Sequence, residues 1–268
     1  MGYGIAIEEA GEVDLYRFGR SRQIFRGPKP NLKNPYIAFI GGSEPFGKFV
    51  TTPFPKLVQR KVKKSCVNWG TPGAGPGFFL KDPVILEACS NAEICVVQAM
   101  DAVPLSNRMY SVFPRRNFRL RAVSDMLKAL YPNIDFENFK YVPAMIRKIQ
   151  SVDATAYKIV LAEQRSAWMA RMLELLEDIE TNKALLWLAP EKGYGEDSII
   201  TEEMINVVAK KADRVIKVEI PNKRTKDMLF GSSKKDSFWM TRSAHETVAK
   251  AVSDEVHLML SSGEKISA

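Results

Sequence analysis

The feature that most constrains this chain is a rhythm of apolar runs. They lie at Tyr36–Ile40, Cys66–Trp69, Ile94–Met100, Ala184–Ala189 and Val215–Ile220, and segments with apolar residues at helical spacing separate them. Runs that are apolar at nearly every position suit strands covered on both faces. Such strands joined by helices predict an α/β domain with a doubly wound, mostly parallel five-stranded sheet of flavodoxin-like kind. Its strands are expected near 36–41, 65–69, 94–99, 184–189 and 214–219. The intervening helices are expected at Phe54–Lys64, Pro83–Ala92, 153–180 and onward from Thr201, with a closing helix at Ser243–Leu260. Thr201 and Ser243 are the expected caps of the last two.

Two regions break the rhythm. Residues 1–35 read as an extended lead-in that ends in the turn Gly27-Pro28-Lys29-Pro30-Asn31. Residues 101–152 carry no clear strand pattern and read as a helical insertion, with helices at Val123–Leu130 and Val142–Ile149. The insertion is expected to pack over the carboxyl edge of the sheet. Residues 36–268 then form a single α/β domain.

Composition acts mainly by exclusion. Of 268 residues, 46% are hydrophobic and 26% charged, so a sizeable core can form without disulfides. Cys66, Cys89 and Cys95 lack metal-ligand spacing, and His245 and His257 are the only histidines, so no metal site and no cofactor are expected. No apolar run approaches the roughly 20 residues that cross a bilayer. The opening residues include Glu8 and Glu9 and have no basic segment, so a cytoplasmic location is expected. The net charge of +8 is spread along the chain without a zinc-finger, RNP or helix-turn-helix signature, which gives no strong nucleic-acid signal. Nothing in the sequence fixes the oligomeric state.

The first strand runs into Gly41-Gly42-Ser43-Glu44-Pro45-Phe46-Gly47. Glycines let a chain turn sharply out of a strand, and ligands of open α/β sheets gather at the carboxyl ends of strands. Ser43 therefore stands where a nucleophilic or ligand-binding hydroxyl would stand. A Gly-Gly-Ser turn without chemistry is the plain alternative. The second strand ends in Asn68-Trp69-Gly70-Thr71-Pro72-Gly73-Ala74-Gly75, the third leads through Met100-Asp101 to Asn107, and His245 opens the closing helix.

These four features together resemble the SGNH/GDSL hydrolase superfamily. Gly41-Gly42-Ser43 stands for its first motif, with Gly in place of Asp. Asn68 to Gly75 fits its second motif well. Met100-Asp101-Ala102-Val103 departs from the Gly-x-Asn-Asp of its third. Arg242 replaces the Asp that precedes the family's histidine by three residues. The segments Phe25-Arg26-Gly27-Pro28, Ser106-Asn107-Arg108 and Pro114-Arg115-Arg116-Asn117 are also similar to an uncharacterised bacterial family of domains of unknown function.

The resemblance implies an SGNH-like serine hydrolase or acyltransferase acting on an ester of an acidic small molecule or sugar. Ser43 would be the nucleophile and His245 the base, with Gly70 and Asn107 in the oxyanion hole. Asp236 is the nearest candidate to orient His245. Arg115 and Arg116 would clamp an anionic group of the ligand. The alternative is a catalytically silent relative that binds an anionic ligand or a polysaccharide-pathway partner. The three motif departures favour it.

Overall fold

In the computed structural model, which describes residues 13–48, 50–113, 118–190, 199–220 and 240–264, the lead-in forms a short antiparallel pair. Its strands are β1 (Leu15–Tyr16) and β2 (Phe25–Arg26). The five apolar runs then become β3 (Tyr36–Ile40), β4 (Ser65–Asn68), β5 (Ile94–Gln98), β8 (Lys183–Pro190) and β9 (Arg214–Ile220) of one sheet. Their order is β4-β3-β5-β8-β9, and every neighbouring pair is parallel. The predicted fold class is therefore the observed one. Along β3, residues alternate between faces, as the pleat requires. Ala38 and Ile40 pack on one side, with Trp168, Met172 and Leu176. Ile37 and Phe39 pack on the other, with Val248, Val252 and Val256.

Four helices complete the layers around the first three strands: α1 (Ser43–Phe46), α2 (Phe54–Val62), α3 (Pro76–Phe79) and α4 (Pro83–Ser90). The insertion differs from expectation. It contains a hairpin, β6 (Tyr110–Val112) with β7 (Leu120–Val123), before α5 (Asp125–Leu130) and α6 (Val142–Val152). Strands of three and four residues, only partly buried, leave too little alternation to read from sequence. The insertion builds a small core of its own around Tyr110, Leu127, Val142, Met145 and Ile149. The long helix α7 (Ala154–Asp178) joins that core to the sheet, and Trp168 Nε1 donates to Met100 O at 2.7 Å just beyond β5.

The chain closes with α8 (Glu202–Ala209) and α9 (Arg242–Glu264). Thr201 caps α8 as expected, accepting from Met204 N. At α9 the cap is Thr241 rather than Ser243: Thr241 Oγ1 accepts from Ala244 N at 3.1 Å, three residues on, where a capping hydroxyl reaches. Among the described residues no helix is long and apolar enough to cross a membrane.

Candidate functional site

In this strand order the chain leaves β3 toward β4 on one side and returns to β5 on the other. The carboxyl ends of β3 and β5 therefore flank the topological switch point, where a crevice opens in folds of this kind. Gly41, Gly42 and Ser43 follow β3 there, and Gln98 ends β5. Gly41 has to be glycine, because a Cβ would overlap the Gln98 side-chain amide and sit 2.9 Å from Pro45 Cγ. This close approach lets Gln98 grip the turn. Its Oε1 accepts from Gly42 N at 2.8 Å, and its Nε2 donates to Glu44 Oε2 at 2.8 Å.

Ser43 opens α1 and is half-buried. Its Oγ accepts a hydrogen bond from Gly73 N at 3.2 Å. Two carboxyl groups stand nearby. Burial raises the Glu44 carboxyl above the usual range, and the charge of Asp101 adds to the effect. Desolvation likewise raises the Asp101 carboxyl, although the residue as a whole is exposed. Its Oδ1 accepts from Val103 N at 2.9 Å.

The other expected site residues are engaged elsewhere. Gly70 packs so tightly on α1 that a Cβ would lie 2.6 Å from Phe46 N, and its amide donates to Asn68 Oδ1 at 2.9 Å. Asn68 Nδ2 in turn donates to Pro45 O at 2.6 Å. Asn107 organises its own turn: Oδ1 accepts from Met109 N and Tyr110 N, and Nδ2 donates to Leu105 O. Arg115, Arg116 and Asp236 lie outside the described residues.

His245 is 1% exposed, so it does not face solvent at the start of its helix. Its ring stacks on Phe54, and its Nδ1 accepts from Phe54 N at 3.1 Å. Burial, reinforced by the charge of Arg26, pushes its pKa down to about 4. Among the described residues no hydrogen bond joins His245 to Ser43 Oγ. The structure thus gathers Ser43, Gly73, Gln98 and Glu44, with Asp101 beside them. Glu44, Gln98 and Gly73 were not singled out from sequence. One signal was available, because a glutamine that closes an otherwise apolar strand beside a Gly-Gly turn is a buried polar group in need of partners.

A family model spans residues 1–260 of the 268. The chain belongs to that family, the domain of unknown function DUF6473. No curated protein matches it by sequence. Among solved structures it is similar to a candidate lipolytic protein of the G-D-S-L family from Desulfitobacterium hafniense DCB-2, with 13% identity and TM-score 0.41 over 82% of this chain and 99% of that one. A mutant of Axe2, an acetyl-xylooligosaccharide esterase from Geobacillus Stearmophilus, gives 12% identity and TM-score 0.43 over 83% and 94%. With TM-scores this low, neither likeness bears on the site of this DUF6473 member. Among its described residues no group of three or more His, Cys, Asp or Glu side chains could hold a metal ion.

Proposed function

We propose that this DUF6473 protein is an SGNH-like binding module whose cleft between β3 and β5 takes a hydroxyl-rich small molecule or sugar without cleaving it. The observation that carries this reading is the hydrogen bond from Phe54 N to His245 Nδ1. A serine hydroxyl becomes a nucleophile when a base with a free lone pair removes its proton. In a neutral imidazole that accepts at Nδ1, the proton sits on Nε2, so His245 has no lone pair left for Ser43. A pKa of about 4 also makes it a weak base at neutral pH.

What the cleft offers instead are binding groups. They are the Ser43 hydroxyl, the Gln98–Glu44 pair and the Asp101 carboxyl, which donate to and accept from sugar hydroxyls. Two carboxyls beside Ser43 repel an anion when ionised, which favours a neutral ligand. The test is labelling with a serine-reactive fluorophosphonate, together with a panel of acetylated sugars and short-chain esters. Wild type is expected to resist labelling and to leave the esters intact. Labelling that disappears in Ser43→Ala overturns the reading.

One observation favours a serine hydrolase or acyltransferase instead. The Gly73 amide points at Ser43 Oγ, and an amide donor beside such a hydroxyl is one half of an oxyanion hole. In that case the Phe54 amide must release His245 during turnover. Mutation of His245 would then slow labelling steeply.

A further inference from the structure

A cavity of about 400 Å3 runs along β4, and Ser43 is not among the residues that line it. β4 is an edge strand of the sheet. Its Cys66 amide is not paired to another strand and donates instead to Gln59 Oε1 at 3.3 Å. Lys56 and Arg60, four residues apart on α2, share the face that lines this cavity. β2 supplies Arg26 and the turn after it Lys29, and rigid walls come from Pro28 and Pro53.

The lining charge is lopsided. Arg26, Lys29, Lys56 and Arg60 face a single acid, Asp14. Among the described residues none of the four cations forms an ion pair. Arg26 is the unusual member, because only 8% of it is exposed. Its guanidinium donates to Phe46 O at 3.0 Å, to Gly47 O, to Val50 O at 2.8 Å and to Thr51 O at 2.9 Å. These bonds occupy both terminal nitrogens with neutral carbonyls and leave its charge without a counter-charge. A buried charge without a counter-charge is costly, and burial pulls the Arg26 pKa down to about 10. A concave site lined by one sign of charge focuses its field and concentrates counter-ions.

We propose that this cavity binds a small molecule carrying a multivalent oxyanion of the phosphate type, held by Lys29, Lys56 and Arg60 over the fixed charge of Arg26. The lysines act as point charges, and Arg60 offers the fork that matches phosphate oxygens. The site is independent of Ser43, so it stands whether that cleft binds or cleaves.

The experiment is calorimetric titration of the full chain with inorganic pyrophosphate at fixed ionic strength. Wild type is expected to give saturable binding to one site. Lys56→Ala/Arg60→Ala is expected to weaken it by about tenfold or more, the order expected when charge-assisted contacts are lost. Lys29→Glu, at an exposed position, is expected to weaken it as well. Both variants should melt like wild type in anion-free buffer, which separates lost binding from lost folding. Lys210→Ala/Lys250→Ala removes the same charge from two exposed positions on other elements and is expected to bind like wild type. No saturable heat with wild type overturns the proposal. Equal weakening in the two double variants also overturns it, because general attraction to a basic protein then explains the binding.

Discussion

Single residues carry two pH-dependent terms of opposite sign. His245 is held neutral, with a pKa of about 4 against an unfolded value near 6.5. The unfolded chain therefore binds more protons between those values. The stability that His245 contributes is complete above pH 6.5 and is lost as pH falls toward 4, a change on the order of 3 kcal/mol. His245→Asn, which can still accept from the Phe54 amide, is expected to flatten this part of a melting-temperature profile taken from about pH 7 down to about pH 4.5. Glu44 runs the other way. Its folded pKa is raised by burial, so its contribution is full at low pH and is lost as pH rises through the folded value. Glu44→Gln should raise the melting temperature most at about pH 8, by a margin that shrinks toward pH 5. An unchanged margin across that range would refute the assignment. The place of Ser43 just beyond β3 was legible in the sequence because its cue is local, two glycines at the end of a strand. The fate of His245 was not legible, because the partner of its Nδ1 lies 191 residues away.

At the scale of elements, legibility followed length and burial. β3 and β5 are buried at every position, and such runs stand out of a sequence without help. β6 and β7 are short and only partly buried, and they fall in a stretch that the sequence reads as a helical insertion. Helix ends were legible where the capping side chain lies at the boundary itself. They slipped where two hydroxyls, Thr241 and Ser243, competed for the role. The firmest cap belongs to α7, where Asp153 Oδ1 accepts from both Thr155 N and Ala156 N. Asp153→Ala is expected to cost about 1 kcal/mol in denaturant unfolding, with the slope of the transition unchanged. The effect should be independent of Ser43 substitutions, because the two sites share no partner.

Across the whole molecule, two apolar layers cover the sheet, and Leu185 on β8 lies fully buried in one of them. Leu185→Ala should destabilise the fold by about 2–5 kcal/mol, measured by chemical unfolding. A loss near zero would mean that the layer described here does not hold the sheet together. The sheet is also joined from two stretches of chain. β3, β4 and β5 all lie within residues 36–98, whereas β8 begins only at residue 183. Eighty-four residues, 99–182, separate the end of β5 from the strand that pairs with it. At typical synthesis speeds of about 5–20 residues per second, a ribosome takes roughly 4–17 s to make that stretch. Throughout that interval β5, a central strand of the finished sheet, is an open edge that any extended segment can join. The nascent chain is therefore most exposed to mispairing, and most in need of a chaperone, in the seconds before its insertion and longest helix are complete.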